Sequence, residues 1–389
     1  MKDTTSRRTM ALGAALVGMT ASAIQQSLLS TATPTVVDEL GHRSAYGMVS
    51  GLYLVASVVT LPLAGALTDR LGARPMYLTG TVIFGLGTAS ACLAAKMEAL
   101  LISRALQGLG AGLLVPAAFS IVALFDGERV KGRLFGLIGV IHVSATIVGS
   151  LWGGWATDRF GWRWALAATE PLILVSTLMA VTSMPLHRYS GCWWKLKLHD
   201  MFAPVKSAFT TEPFIMAFAV GGLTATTVIY MPWALQVFYQ LDATAISHRL
   251  IPIFLSAALG SAIGGSLTTR PWILTAGWIV VLLGTATASS ATLQALTVAG
   301  ILVGLGCGSI FPIILTRVQT LADPQHIASA SSMLQFSRQI GAAVVVSGAG
   351  LWPAYLDTKL AAIGLLVTLI VVALGGLITS WRSYARQSH

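Results

Sequence analysis

Twelve apolar blocks, each about twenty residues long or longer, occupy most of this 389-residue chain. They fall near residues 10–32, 46–67, 75–95, 99–124, 133–156, 162–184, 213–237, 247–268, 272–290, 293–316, 327–350 and 360–381. A block of that length crosses the hydrocarbon core of a bilayer as a helix. Unpaired backbone is so costly in lipid that a span must be a helix or a strand of a closed barrel. Barrel strands would be about 10 residues long and would alternate in character, which these blocks do not. The expected fold class is an all-α membrane protein of twelve transmembrane helices. The first block has further spans after it and no small-x-small cleavage pattern, so it is read as a span and not as a signal peptide.

The charge content points the same way. Only 10% of residues are charged, against 55% hydrophobic, with a mean hydropathy of +0.77. A soluble domain carries about 25% charged residues, so this chain could not cover a water-facing surface. A soluble enzyme, a nucleic-acid-binding protein and a disordered chain are excluded. The net charge of +10 then reports cations held in cytoplasmic loops. With the N-terminus placed inside, sixteen of the 24 Lys and Arg lie in inside segments and six outside. Two, Arg104 and Arg338, lie within spans. Both termini are therefore expected to be cytoplasmic. Cys92, Cys192 and Cys307 are distant and odd in number, so no disulfide framework, metal site or cofactor is expected.

The chain repeats itself. Gly65-Ala66-Leu67-Thr68-Asp69-Arg70 after the second block returns as Gly265-Ser266-Leu267-Thr268-Thr269-Arg270 after the eighth. Gly108-Leu109-Gly110-Ala111-Gly112 with Pro116 returns as Gly304-Leu305-Gly306-Cys307-Gly308 with Pro312. Six spans thus occur twice, in one order and one orientation. The expected organisation is a six-helix bundle over 1–184, a cytoplasmic linker over 185–211, and a second six-helix bundle over 212–389. Trp193-Trp194-Lys195-Leu196-Lys197-Leu198 in the linker suits an interfacial helix on the inner leaflet, or a plain tether.

Along nearly its whole length the sequence resembles the major facilitator superfamily, whose plan is two parallel six-helix repeats with a site between them at mid-membrane. Gly65 through Arg74 is similar to that family's signature loop, and Arg104-Ala105-Leu106-Gln107-Gly108 to its fourth-helix motif. Thr31 through Val36, Gly161-Trp162-Arg163-Trp164, Met231-Pro232 through Gln236, and Phe336 through Gly341 resemble the bacterial drug:proton antiporter branch. That branch usually has fourteen helices; here there is room for twelve. The resemblance implies alternating access with small-molecule export coupled to protons. It also implies a latch that favours the outward-open state, formed by Gly65, Asp69, Arg70, Gly72 and Arg74. Two positions depart from the pattern: Gln25 stands where an Asp is usual, and Gly149-Ser150-Leu151-Trp152-Gly153-Gly154 lacks the usual proline.

Physical chemistry adds its own reading of these residues. Asp69 can pair with a base or sit at a helix N-terminus; otherwise it belongs to a solvated basic loop. Arg104 inside a span costs about 2.5–3.5 kcal/mol on insertion scales, so it faces a wet cavity or a partner, or snorkels to the headgroups. Arg338 raises the same question between packing and function. Glu170 is the one acid deep in a span and could carry a proton, or stand in for the amide usual there. His142 is the second titratable candidate, because imidazole titrates nearest neutral pH; the other reading is a satisfied core histidine. Gly108, Gly112, Gly149, Gly153 and Gly154 are expected to pack helices closely. By position, Gln25, Gln26, Ser30, Gln107, Thr224, Thr227, Tyr230, Gln236 and Ser309 would line a weakly polar substrate cavity.

The function expected is export of small hydrophobic or amphipathic compounds from a bacterial inner (cytoplasmic) membrane, by a monomer. Its partners would be the substrate, protons and membrane lipid, with no nucleic acid. The alternatives are an importer or facilitator of an uncharged metabolite, and a transport-dead sensor. No paired carboxylate, metal cluster or nucleophile–base pair supports an enzyme.

Overall fold

A computed structural model of the chain describes residues 2–41, 46–184, 212–240, 243–270, 272–290, 292–323, 325–355 and 358–387. The expected linker over 185–211, with its Trp-Lys segment, lies outside them. The helices are α1 (Lys2–Leu40), α2 (Tyr46–Leu71), α3 (Ala73–Cys92), α4 (Met97–Val122), α5 (Glu128–Phe160), α6 (Trp162–Ala167) and α7 (Glu170–Ser183). They continue as α8 (Glu212–Tyr239), α9 (Ala243–Ser266), α10 (Trp272–Thr287), α11 (Leu293–Leu321), α12 (Ile327–Tyr355) and α13 (Thr358–Gln387). No strand occurs among the described residues. Eleven of the twelve apolar blocks are each covered, to within a few residues of the expected ends, by one unbroken helical stretch, and the sixth is divided. Among the described residues, nine helical stretches are long and apolar enough to cross a membrane, with Trp162–Ser183 taken as one.

The joints are short, and glycine makes two of them possible. Gly72, at φ 89°, is the single residue between α2 and α3, and its N–H closes the end of α2 on the carbonyl of Thr68 at 2.9 Å. Gly161, at φ 84°, does the same between α5 and α6, donating to Thr157 at 3.0 Å. Only glycine enters this left-handed region without strain.

The sixth span, expected as one helix, is two. Ala168 and Thr169 form a turn between α6 and α7. The reason is Pro171, which has no N–H to give to the carbonyl four residues back and is tolerated only in the first turn of a helix, where α7 begins. Thr169 N–H falls back on Leu166 O at 3.0 Å, an i−3 bond.

The chain packs as two compact units. One holds Met1–Asp126, Ser144–Pro204 and Ala322–Met333; the other holds Gly127–Val143, Val205–Leu321 and Leu334–His389. α5 and α12, the fifth and eleventh spans, each contribute to both.

The sequence repeat is also a packing repeat. In the first unit α4 passes between α2 and α3 on bare glycine. A methyl on Gly108 would lie 2.3 Å from Tyr53 O, one on Gly112 2.8 Å from Ser57 O, and one on Gly110 2.8 Å from Gly80 O. In the second unit α11 does the same between α9 and α10. Gly304 would meet Ile253 O at 2.8 Å, Gly308 Ala257 O at 2.3 Å, and Gly306 Gly277 O at 2.6 Å. Even the proline bends are treated alike: Ser120 Oγ donates to Pro116 O at 2.9 Å, and Thr316 Oγ1 to Pro312 O at 2.7 Å. Large apolar side chains stand exposed at four-residue spacing: Val82 and Leu86 on α3, Leu174 and Leu178 on α7, Leu255 and Leu259 on α9. Rows of this kind suit contact with lipid and would be a liability in water.

Candidate functional site

The Asp69 carboxylate sits at the last turn of α2. It accepts N–H bonds from Ala328 and Ser329, both at 2.7 Å. These two donors belong to the first turn of α12, where backbone N–H groups have no partner within their own helix. A carboxylate placed there satisfies them and meets the positive end of the helix dipole. Asp69 and Ala328 come from opposite halves of the sequence but lie in the same compact unit. Gly65, one helical turn earlier, lets the two helices close: a methyl there would stand 2.6 Å from Ser332 Oγ and 2.8 Å from Ser329 Cα. The other expected latch residues do other work. Arg74 donates to Val181 O at 2.8 Å and to Met184 O at 3.4 Å, capping the carbonyls at the end of α7. Arg70 is exposed, and Gly72 makes the turn described above.

A buried polar cluster occupies the interior of the same unit. Arg104 on α4 is 1% exposed, which answers the question its sequence position raised: it does not snorkel. Its Nε donates to Val49 O at 2.9 Å, its Nη1 to Gln107 Oε1 at 2.6 Å, and its guanidinium lies 4.5 Å from the Tyr53 ring centroid. Gln107 Nε2 reaches Gln25 Oε1 at 3.1 Å and Thr88 Oγ1 at 3.0 Å. Gln25 Nε2 donates to Thr169 Oγ1 at 2.6 Å. Tyr53 pairs with Ser22 at 3.0 Å. Gln25 and Gln107, expected on an open cavity wall, are instead interior groups of this cluster. The physical reason is mutual: each amide finds its partners in the other and in the Thr88 and Thr169 hydroxyls.

Glu170 opens α7 immediately after the turn at Ala168-Thr169, so it stands at a helix N-terminus and not in mid-helix. Its Oε1 is buried without a hydrogen-bond partner. His142 is exposed on the part of α5 that belongs to the second unit, whereas Glu170 belongs to the first. Arg338, in the second unit, donates from Nε to Gln335 Oε1 at 3.0 Å and lies 5.2 Å from the Phe311 ring centroid.

The remaining expected cavity residues divide. Gln26 is half-buried; Ser30 and Gln236 are exposed. Thr224 and Thr227 spend their hydroxyls on their own helix, at Val220 O and Leu223 O. Tyr230 Oη donates to Val346 O at 3.0 Å. Ser309 is buried, bonds to Gly306 O at 2.8 Å, and packs against Gly264 and Gly277. It is a helix contact, because its neighbours carry no side chain to hold it off. Gly149 and Gly153 do pack closely: methyls there would meet Ile24 O at 2.5 Å and Leu28 Cα at 2.7 Å. Gly154 does not, with only Thr31 Cγ2 at 3.8 Å.

Two features escaped the sequence reading. Glu39 at the end of α1 accepts from Trp162 Nε1 at 2.7 Å and pairs with Arg163, whose Nη2 donates to Ala94 O at 2.8 Å. Long-range pairing of this kind leaves no local signature. In the second unit Gly132, Gly136 and Gly139 on α5 lie against Ser261 and Gly265 on α9; a methyl on Gly265 would sit 2.4 Å from Gly132 O. The glycine spacing on α5 was the available signal.

Residues 15–346 match the family model described as Major Facilitator Superfamily. The chain is 24% identical over 400 residues to the Multidrug transporter protein MdtP of Bacillus subtilis (strain 168), covering 86% of this chain and 73% of that protein. It is 24% identical over 388 residues to Multidrug resistance protein 3 of the same organism, covering 84% and 76%. The match to the Uncharacterized MFS-type transporter Rv1877 of Mycobacterium tuberculosis (strain ATCC 25618 / H37Rv) is 32% over 319 residues, covering 77% of this chain and 44% of that one. In fold it is similar to the crystal structure of the human organic anion transporter MFSD10 (TETRAN). There the TM-score is 0.79 at 15% identity, with 96% of this chain and 99% of that chain covered.

Proposed function

The chain belongs to the major facilitator superfamily, and from that premise we propose that it exports small hydrophobic or amphipathic compounds by alternating access, driven by protons. The two bundles, 1–184 and 212–389, rock about the linker 185–211, with both termini in the cytoplasm of a bacterial cell and the chain in its inner membrane as a monomer. Similarity to two proteins named for multidrug transport supports the substrate class.

The observation that carries alternation is the Asp69 carboxylate on the α12 N-terminus. It joins the second span to the eleventh, which belong to different six-helix bundles, so a rocking that parts those two spans breaks it. The latch then favours one of two states, and substrate or protons shift the balance by binding the other better. Arg104, Glu170 and His142 are the coupling groups. Glu170 leads because a buried carboxylate oxygen without a partner is cheap only when protonated.

The test uses everted membrane vesicles energised to hold an acid interior. Adding a transported compound should partly collapse the pH gradient, and Glu170→Gln should abolish that collapse while compound binding persists. If Glu170→Gln vesicles respond like the wild type, Glu170 is a structural stand-in and His142 is the next group to change. If no compound disturbs the gradient, a facilitator is the better description.

A further inference from the structure

The cluster around Arg104 has a direction. Guanidinium has donors only, so Gln107 must turn its Oε1 toward Arg104 Nη1, 2.6 Å away. That leaves Gln107 Nε2 facing Gln25, which must therefore offer its Oε1, at 3.1 Å. Gln25 Nε2 is then committed to Thr169 Oγ1 at 2.6 Å. The Thr169 hydroxyl, accepting from Gln25, gives its one proton to Leu166 O at 2.7 Å. Every amide orientation follows from the cation, and four donors in succession point from α4 through α1 to the last turn of α6. Hydrogen bonds so aligned polarise one another.

The chain starts at an unfinished group and stops beside another: Arg104 Nη2 is buried with no hydrogen-bond partner, and Glu170, whose Oε1 is likewise buried without one, is the residue that follows Thr169. Among the described residues, Cys92 on α3 lies within electrostatic reach of both Glu170 and Arg163 from α6. Tyr53, from α2, is the titratable group beside Arg104. No carboxylate is paired with Arg104 among the described residues.

We propose that Thr169 is a positioning residue which, through the directed chain Arg104–Gln107–Gln25–Thr169, links the placement of Arg104 on α4 to the charge state of Glu170 at the break between α6 and α7. When Glu170 ionises at the head of α7, the break tightens around the new charge. The Thr169 hydroxyl moves with it, and the chain carries that movement to the cation on the central helix of the unit. When Glu170 takes a proton the chain relaxes. Thr88 holds the middle in register, accepting from Gln107 and lying 2.9 Å from Gln25 Oε1. This inference rests on the reading of Glu170 as the proton-carrying group.

The test separates the two. Reconstituted protein is assayed for gradient-driven accumulation and for gradient-free exchange of a dye that the wild type accumulates. Thr169→Val removes the hydroxyl and leaves Gln25 Nε2 a buried donor without a partner, an effect of about tenfold. Accumulation should fall about tenfold more than exchange, and Thr169→Ser should restore it. The double variant Thr169→Val/Glu170→Gln should exchange the dye at the rate of Glu170→Gln alone, because residues acting in one path are non-additive; a further loss of exchange in the double variant overturns the link. Thr169→Val accumulating like the wild type, or losing accumulation and exchange in parallel with no rescue by Ser, overturns the link while leaving Glu170 in its role. Glu170→Gln accumulating normally overturns the underlying reading instead, and the link with it.

Discussion

Asp69→Asn isolates the latch with one atom changed. The carboxylate accepts two backbone N–H bonds at 2.7 Å, from Ala328 and Ser329, and both are charge-assisted. The amide can accept one of them as a neutral bond; its own NH2 then faces the second donor. Bonds to a charged acceptor contribute about 1.5–3 kcal/mol each and neutral ones about 0.5–1.5. Both partners can hydrate once the latch opens, so part of that difference is recovered. The latched state should lose about 2 kcal/mol, about thirtyfold in relative population. A tenfold preference for the latched form would become about a threefold preference for the open one. The assay is a distance distribution between spin labels at Pro75 and Gln325, both exposed and in the same unit, in a background lacking the native cysteines. The long-distance population should grow at the expense of the short one, and transport should fall while membrane insertion holds. Superimposable distributions for Asp and Asn, in folded protein, would refute the argument.

Four further outcomes follow from the same geometry. Gly65→Ala keeps the carboxylate but places a methyl 2.8 Å from Ser329 Cα, so it should also favour the open population in the label pair. Arg104→Lys should not restore activity lost in Arg104→Ala, because one ammonium cannot serve Val49 O, Gln107 Oε1 and the Tyr53 face together; normal transport by the Lys variant would mean the chain of bonds is dispensable. Gly265→Ala meets Gly132 O at 2.4 Å, whereas Gly154→Ala meets only Thr31 Cγ2 at 3.8 Å. Thermal unfolding in detergent should show the first destabilised by about 1–3 kcal/mol and the second near neutral. Glu39→Gln should loosen its contacts with Trp162 and Arg163, seen as a lower unfolding temperature in detergent, and leave the label distribution unchanged.

The helices were legible because twelve long apolar blocks leave a chain in lipid little choice. The repeat was legible because glycines at fixed offsets keep the same neighbours in each unit: Gly108 against Tyr53 and Gly304 against Ile253. For Asp69 the sequence offers a basic partner, a helix N-terminus or a solvated loop, and the helix N-terminus is the one realised. Arg74 joins Asp69 in the signature loop that the sequence resembles, and in space it caps the end of α7. Gln25 and Gln107 were placed on a cavity wall from helix position alone. Helical spacing names a face but not what covers it, and here each amide is covered by the other. The break at Thr169 was within reach of the sequence, since a proline, here Pro171, sits in a helix most easily at its first turn. Its hydroxyl's bond to Gln25, 144 positions away in the chain, was not.

The central claim is that protons drive export. The most direct measurement takes purified protein in sealed proteoliposomes, an imposed pH gradient, and a panel of lipophilic dyes without titratable groups, ethidium among them. The account predicts uphill accumulation of at least one dye on imposing the gradient, its loss on adding a protonophore, and its absence in Glu170→Gln. Dye movement that only follows its own concentration difference, equal with and without the pH gradient, would contradict it.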